Sequence, residues 1–192
     1  MIYISYPFYL ASKSPRRKQL LQNIIPNIKI LKVNLEEEVM KGDTPVDIAK
    51  GLAQEKMDNI DEISEPGIIL TADTIVGIDN KILGKPADSF DALNMLNSLS
   101  GKTHSVITGF CLFNQIKNIK ILDFVKTDVT FKKLSEKEIA EYIDTKSPFD
   151  KAGAYGIQDP LGSIFVSGIN GCYYNVMGLP VSKIYTSLLD II

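Results

Sequence analysis

The sequence predicts a mixed α/β domain, and three patterns point to that class. Apolar, β-branched runs alternate with amphipathic helical segments through the first half of the chain. Two long segments of alternating polarity, 103–114 and 119–134, predict antiparallel strands joined by a polar turn. The last third, from residue 149 to 181, sets many glycines among apolar and aromatic residues, which indicates tight turns and close backbone approach.

Length and composition are those of an ordinary globular protein with one domain, or with two lobes that share a core. The chain has 192 residues, of which 45% are hydrophobic and 23% charged. A chain of this size buries enough surface to fold without disulfides or bound metals. Cys111 and Cys172 lack metal-type spacing, so we expect free thiols in a reducing compartment. A formal net charge of -2 disfavours a nucleic-acid-binding module, so any recognition of anions must be local.

The residues that flank the N-terminal elements predict where those elements begin and end. No basic segment precedes the apolar start, so this apolar stretch predicts a strand ending near Ala11 rather than a signal peptide. Ser14 and Pro15 predict the cap and first turn of a helix that ends near Ile24. No apolar run approaches the ~20 residues of a membrane span, so we expect a cytoplasmic protein without a membrane partner.

Later elements are marked by further caps and turns. Helix starts are indicated by Thr44 with Pro45, by Asp88, and by the capping box of Ser135 with Glu138. The predicted elements are a strand over 29–35, a helix over 44–60, a buried strand over 67–78, a short return strand within 79–86, a helix over 88–99, the strand pair, a helix from 135 and a closing helix over 182–192.

The turn between the first strand and helix predicts an anion site. Free backbone N–H groups and the helix dipole favour an anion there. Ser12 and Ser14 can add hydroxyl donors, and Arg16 and Arg17 add planar forks suited to phosphate oxygens. Cations at a helix N-terminus otherwise oppose the dipole. The alternative is a solvated basic first turn.

Asp73 interrupts the buried strand, and a carboxylate buried there without a partner costs several kcal/mol. It therefore meets a cation, a metal or strong hydrogen bonds, or else it sits at a strand end and caps the next turn. The acidic run Glu36–Glu38 offers a second source of carboxylates. Two carboxylates plus substrate phosphates are the ligands that Mg²⁺ typically accepts.

Two lysines have unusual placements. Lys56 falls on the apolar stripe of its helix, four residues after Leu52, so it either snorkels to solvent or points inward to Asp73. Lys85 is held on a rigid loop between glycine and proline, with the same two alternatives. Hydrogen-bond donors for phosphate, cations and metal-binding carboxylates together suit hydrolysis at a phosphorus atom better than acyl transfer or redox chemistry.

Other chemistry-bearing residues are expected to be structural. His104 is the single histidine of the sequence, so no histidine-based metal cluster can form, and we expect a packed or strand-end imidazole. Tyr155, Tyr173 and Tyr174 are expected in the core rather than as platforms for stacking bases.

Taken together, these motifs resemble the Maf family of nucleoside triphosphate pyrophosphatases. Eight segments carry the resemblance in family order, from about Leu10 to Ser182: LASKSPRRKQLL, EEE, AQEKM, TADTIV, LGKPAD, LSGKTHSVITG, FDKAGAYGIQ and GCYYNVMGLPV. The resemblance implies a single domain over 1–192 with a Maf/inosine-triphosphatase-like fold, a long mixed sheet whose helices form two lobes around a central cleft. It also implies cleavage between the α- and β-phosphates with Mg²⁺ or Mn²⁺, and a homodimer.

The resemblance also assigns residues. Asp73 matches the family's catalytic acidic residue, which is usually described as the proton acceptor. Glu37 matches the cleft glutamate, and it would hold the metal together with Asp73. The positions that match phosphate binding are Ser12, Arg16, Arg17, Lys56 and Lys85. The segment KAGAYGIQ is similar to the branch acting on dTTP and UTP, in which Arg16, Thr74 and Gln158 would set specificity.

Two departures and two rival functions remain. Asp159-Pro160 stands where a glycine-containing turn is usual, which could alter the loop beside Gln158, and the N-terminus is longer than typical.

The rival functions are a 7-methyl-GTP pyrophosphatase and a nucleotide-sensing regulator of cell division with little turnover. A sensor needs cations but no carboxylate poised for metal and water, so the intact acidic set disfavours it.

Overall fold

A computed structural model of the chain describes residues 4–33 and 42–192. The strands within these residues are β1 Phe8–Ala11, β2 Ile28–Leu31, β3 Ile68–Ile78, β4 Lys81–Leu83, β5 Thr103–Asn114, β6 Ile119–Phe131 and β7 Val166–Asn170. The α-helices are α1 Pro15–Gln22, α2 Pro45–Asp58, α3 Ser89–Leu99, α4 Glu136–Asp144, α5 Pro160–Phe165, α6 Tyr173–Val176 and α7 Val181–Leu189. Two short 3₁₀ turns cover Ser147–Asp150 and Ala152–Ala154.

The strands form one mixed sheet in the order β2-β1-β3-β5-β6-β7, with β4 paired to β3. β1 runs parallel to β2 and β3, and Phe8 lies opposite Ile28 on one side and Ile68 on the other. β4 and β7 run antiparallel to β3 and β6 respectively. Side-chain hydrogen bonds join Thr103 to Thr130 and Ser105 to Asp128, a register that shows β5 and β6 to be the predicted antiparallel pair. The predicted mixed α/β class is confirmed.

The predicted helix caps are present. Ser14, Thr44 and Asp88 each accept a hydrogen bond from the backbone three residues on, and Ser135 and Glu138 form the complete capping box. Several boundaries differ from prediction. α1 ends at Gln22 rather than near Ile24, and α2 ends at Asp58 rather than at Ile60. α7 covers Val181–Leu189 rather than 182–192, and β6 ends at Phe131 rather than at 134. Helix ends fray, which accounts for shifts of one or two residues.

Tertiary contacts divide the chain into two compact units. The first unit comprises Met1–Asp73, Thr108–Val125 and Gly178–Ile192, and the second comprises Thr74–Ile107 and Lys126–Met177. β3, β5 and β6 contribute residues to both units. The resemblance implies two lobes, and the number of units agrees with it. The central cleft and the single domain over 1–192 stay predictions.

Each unit has its own apolar cluster. In the first unit Tyr9, Met57, Ile69 and the free thiol of Cys111 pack together, and burial raises the pKa of Cys111 to about 11. An uncharged, buried thiol is inert, as expected of a packing residue. Cys172 is also free and half-buried.

In the second unit the core is aromatic. His104 is 2% exposed and lies edge-on to Phe131 and Tyr155, and its Nε2 shares a 2.8 Å hydrogen bond with the Tyr155 hydroxyl. Burial lowers the pKa of His104 to about 4, because a charged imidazole would be desolvated. His104 and Tyr155 are therefore the packed residues that the sequence predicts.

The expectation that Tyr173 and Tyr174 are core residues is wrong. Their side chains are 42% and 48% exposed, and their rings contact each other edge-on with centroids 5.7 Å apart. The single-turn helix α6 instead buries Asn175, whose Nδ2 donates to the Val106 carbonyl and the Thr127 hydroxyl, each at 3.0 Å. A helix of one turn can bury one face, and the hydrogen-bonded amide of Asn175 lies on that buried face.

Among the described residues, no helix is long and apolar enough to span a bilayer.

Candidate active site

The turn between β1 and α1 is organised by two serines. Ser12 Oγ accepts a hydrogen bond from the Ser14 N–H at 3.2 Å, and Ser14 Oγ accepts one from the Arg17 N–H at 3.4 Å. Pro15 has no N–H to offer. Capping therefore uses part of the backbone donor set that the sequence assigned to an anion. Recognition of an anion at this turn would therefore also draw on the Ser12 hydroxyl and the two guanidiniums.

Arg17 is half-buried, and its side chain is anchored from a distant part of the chain. Its Nε donates to the Gly178 carbonyl at 2.8 Å. Gly178 has a φ of 108°, a conformation that favours glycine. Burial lowers the pKa of Arg17, Asp73 acts in the opposite direction, and Arg16 acts with burial. Asp73 is thus near enough to act electrostatically on Arg17.

Asp73 lies inside β3 and forms an ion pair with the Lys56 ammonium. The two side chains are 20% and 25% exposed respectively. β3 continues to Ile78, so the alternative in which Asp73 ends a strand and caps the next turn is wrong. The alternative in which Lys56 snorkels to open solvent is also wrong. A mostly buried carboxylate needs a charged partner, and Lys56 supplies it.

The placement of Lys56 follows from how α2 packs. Ala49, Ala53 and Met57 are buried on its inner face, and the Thr71 hydroxyl of β3 donates to the Ala53 carbonyl at 2.7 Å. A side-chain carbon at Gly109 of β5 would lie 2.2 Å from the Ala49 carbonyl oxygen, so the strand backbone touches the helix. Lys56 lies one turn after Ala53, and a helical turn returns it to the side that faces β3.

Three further predicted residues belong to the second unit. Thr74 follows Asp73 along β3 and is half-buried. Lys85 is exposed in the loop after β4, beside the buried Pro86. That loop is fixed because the Gly84 carbonyl accepts a 2.9 Å hydrogen bond from Gly153, whose φ of +70° suits glycine. The geometry of the loop thus comes from backbone pairing and not from Lys85 itself.

Gln158 is the third, and it is attached to a polar cluster that the sequence did not predict. Its Nε2 donates to Asp159 Oδ1 at 3.0 Å. Asp159 Oδ2 accepts from the Tyr142 hydroxyl at 2.6 Å and the Ser147 hydroxyl at 2.7 Å, and it lies 3.4 Å from the Lys151 ammonium. Lys151, a charge set among glycines and apolar residues, was the available signal for this cluster.

The predicted site residues therefore fall into three groups. Ser12, Arg16, Arg17, Lys56 and Asp73 belong to the first unit, and within it Lys56 pairs with Asp73, which also acts on Arg17. Thr74, Lys85 and Gln158 belong to the second unit. Glu37 lies outside the described residues, as do Glu36 and Glu38.

Asp73 is a carboxylate of the first unit that could contribute to binding a divalent metal. Within residues 4–33 and 42–192, no group of three or more histidine, cysteine, aspartate or glutamate side chains could hold a metal. Mg²⁺ is usually bound by one or two carboxylates together with substrate phosphates and water, rather than by a protein cage. Asp73, beside cations that attract phosphate, fits the part of one such carboxylate.

The chain is similar to known proteins over nearly its whole length. A sequence model of the family described as Maf-like protein matches residues 7–191. A protein of Clostridium perfringens strain 13 named dTTP/UTP pyrophosphatase is 45% identical over 182 residues, covering 93% of this chain and 94% of that protein. Proteins of the same name from Clostridium beijerinckii and Carboxydothermus hydrogenoformans are 46% and 45% identical, each covering 95% of this chain and 97% of its own length.

A solved structure agrees at the level of the fold. The HAM1 protein of Coxiella burnetii superimposes with a TM-score of 0.50 at 13% identity, covering 96% of this chain and 99% of that one. Identity that low concerns architecture and not activity. The family match over 7–191 and the relatives of about 45% identity decide the identity: the chain belongs to the Maf-like protein family.

Proposed function

We propose that this chain is a nucleoside triphosphate pyrophosphatase that hydrolyses dTTP and UTP to the monophosphate and pyrophosphate. The names of its relatives support this substrate class. The observation that carries the proposal is the Asp73–Lys56 ion pair, mostly buried and within the electrostatic reach of Arg17. An acid held among cations beside a serine-bearing turn suits hydrolysis of a phosphoric anhydride.

Binding of the triphosphate is assigned to the cations and the opening turn. Arg16 and Arg17 have planar forks that match phosphate oxygens, and the Ser12 hydroxyl hydrogen stays available to donate because its oxygen accepts in the turn. Lys56 and Lys85 add point charges. The anchor of Arg17 on Gly178 holds the guanidinium in place before substrate arrives, which lowers the entropy lost on binding.

Asp73 is assigned the role of general base. In the free protein its Oδ1 accepts from the Lys56 ammonium. A triphosphate offers Lys56 several charged oxygens, so binding draws the ammonium toward phosphate and leaves Asp73 Oδ1 able to accept a proton from water. That water attacks the α-phosphorus, and pyrophosphate leaves against the cations.

A divalent cation completes the proposed site. Asp73, Glu37 and the substrate phosphates would hold Mg²⁺ or Mn²⁺, which would neutralise charge on the phosphates. Arg16, Thr74 and Gln158 are assigned to recognition of the base. The cytoplasmic location and the homodimer are further expectations of the same resemblance.

A nucleotide panel tests the proposed function. We expect purified protein with Mg²⁺ or Mn²⁺ to release pyrophosphate from dTTP and UTP with higher kcat/KM than from CTP, ATP, GTP or 7-methyl-GTP, and a chelator to abolish this activity. Highest turnover of 7-methyl-GTP would assign the other branch, and tight binding without turnover would assign a sensor. Activity that persists in chelator would contradict the metal requirement.

A further inference from the structure

We propose that Asp159 is a positioning residue for Gln158, fixing the orientation of its amide so that the site reads uracil or thymine in preference to cytosine. The inference deepens the proposed function and rests on it, because it gives Gln158 the task of recognising the base. It concerns an aspartate that stands where the resemblance leads one to expect a glycine-containing turn.

The geometry decides which way the amide faces. Gln158 Nε2 lies 3.0 Å from Asp159 Oδ1. An ionised carboxylate only accepts hydrogen bonds, so the amide must turn its NH₂ group, and not its carbonyl oxygen, toward Asp159. The flipped amide would set two acceptor oxygens against each other. One N–H is thereby used, and the second N–H and Oε1 remain for a ligand.

Asp159 is itself held firmly, so it can impose that orientation. Its other oxygen accepts from the hydroxyls of Tyr142 and Ser147 at 2.6 and 2.7 Å. The Lys151 ammonium lies 3.4 Å from that oxygen and is 9% exposed. Burial, followed by the hydrogen bond to the Asp159 carboxylate, raises the pKa of Tyr142, so the phenol stays protonated and donates. Charge-assisted hydrogen bonds of this kind are the strong ones.

Gly156 closes the arrangement. Its N–H donates to the Tyr142 oxygen at 2.9 Å. A side-chain carbon at this position would lie 2.6 Å from Lys151 Cε and 2.7 Å from both Asp159 Oδ2 and Gln158 Nε2. The backbone of residues 155–158 thus lies against the cluster and leaves no room for a side chain at Gly156. This close packing restricts the conformations of the Gln158 and Asp159 side chains.

The chemistry of the bases gives this orientation a consequence. Uracil and thymine present the O4 acceptor beside the N3–H donor, whereas cytosine presents the N4 amino donor beside the N3 acceptor. A single amide complements either pattern, but only in orientations that differ by a half-turn. A carboxylate that forbids the half-turn therefore selects between the two bases. An asparagine in its place offers both a donor and an acceptor and permits both orientations.

The test is the base preference of Asp159→Asn. We expect the ratio of kcat/KM for UTP to that for CTP to fall roughly tenfold relative to wild type, the size of one bidentate base contact. The change should lie in KM, with kcat for UTP nearly kept, which a general loss of structure would not produce. Asp144→Asn, an exposed aspartate at the end of α4, is the matched control and should leave the ratio unchanged. An unchanged ratio in folded Asp159→Asn overturns the inference.

A second measurement addresses the orientation without any variant of Asp159. In NMR spectra of the unliganded wild-type protein, with the Gln158 side chain assigned by its loss in Gln158→Ala, we expect one Nε2 proton shifted downfield and slow to exchange with solvent. Two Nε2 protons with the chemical shifts and the fast solvent exchange of a free glutamine side chain would overturn the positioning role. Failure of wild type to hydrolyse UTP or dTTP would instead reject the proposed function, and the amide spectrum would still judge the orientation.

Discussion

Replacing Asp73 with asparagine is expected to lower the kcat for UTP hydrolysis by about 10³-fold, within the range that a positioned general base contributes. Asparagine keeps the shape of the side chain and a carbonyl oxygen that can accept from Lys56, but it takes no proton from water. The melting temperature should therefore stay near that of wild type. Pyrophosphate release at saturating UTP, together with thermal unfolding, measures both effects.

The matched control is Asp79→Asn, in the turn between β3 and β4. Asp79 is 66% exposed, pairs with Lys102 and has a φ of 48°, a conformation that asparagine adopts readily. This variant should keep full activity. Near-normal turnover in Asp73→Asn would reject the assignment of Asp73 as the base, and unfolding of that variant would show that the carboxylate is needed for the fold.

Replacing Lys56 with methionine should damage both stability and activity. Methionine keeps the apolar stem that packs along α2 but leaves the mostly buried Asp73 carboxylate without its ammonium. Removing one partner of a fully buried pair costs 3–5 kcal/mol, and because these side chains are 20–25% exposed we expect about 1–3 kcal/mol. We also expect kcat/KM for UTP to fall by about 10²-fold or more through lost stabilisation of the phosphate charge. Urea unfolding and steady-state kinetics measure the two losses.

A double variant separates the two roles of Lys56. Lys56→Met with Asp73→Asn removes the stranded charge, so stability should recover toward wild type while activity stays lost. Strictly additive losses of stability would contradict an interaction between the two side chains. Lys50→Met, on the same helix and half-buried, should retain activity and shows what losing a lysine from α2 costs by itself.

Local signals in the sequence were sufficient for much of the fold. Caps act within three residues, so Ser14, Thr44, Asp88 and Ser135 marked their helices correctly. The sequence also raised the Asp73–Lys56 pairing as one of two alternatives, because a carboxylate in a β-branched run and a lysine on an apolar stripe each need an explanation. Choosing between the alternatives required knowing that α2 packs on β3.

Long-range contacts were beyond the reach of such signals. Arg17 takes its anchor from Gly178, 161 positions away, and Asp159 takes a hydrogen bond from Tyr142, 17 positions away. Tyr142 is buried on the inner face of α4, and its hydroxyl donates to Asp159 and accepts from the Gly156 N–H. The exposure of Tyr173 and Tyr174 was missed for a related reason, since the length and burial of α6 depend on which strands Asn175 reaches.

The most direct test of the central claim, that water attacks the α-phosphorus beside Asp73, is hydrolysis of UTP in ¹⁸O-labelled water with mass analysis of both products. Attack at the α-phosphorus places the label in UMP and leaves pyrophosphate unlabelled. We expect that result at a rate that Asp73→Asn reduces about 10³-fold. Label in pyrophosphate or in free phosphate would contradict the account.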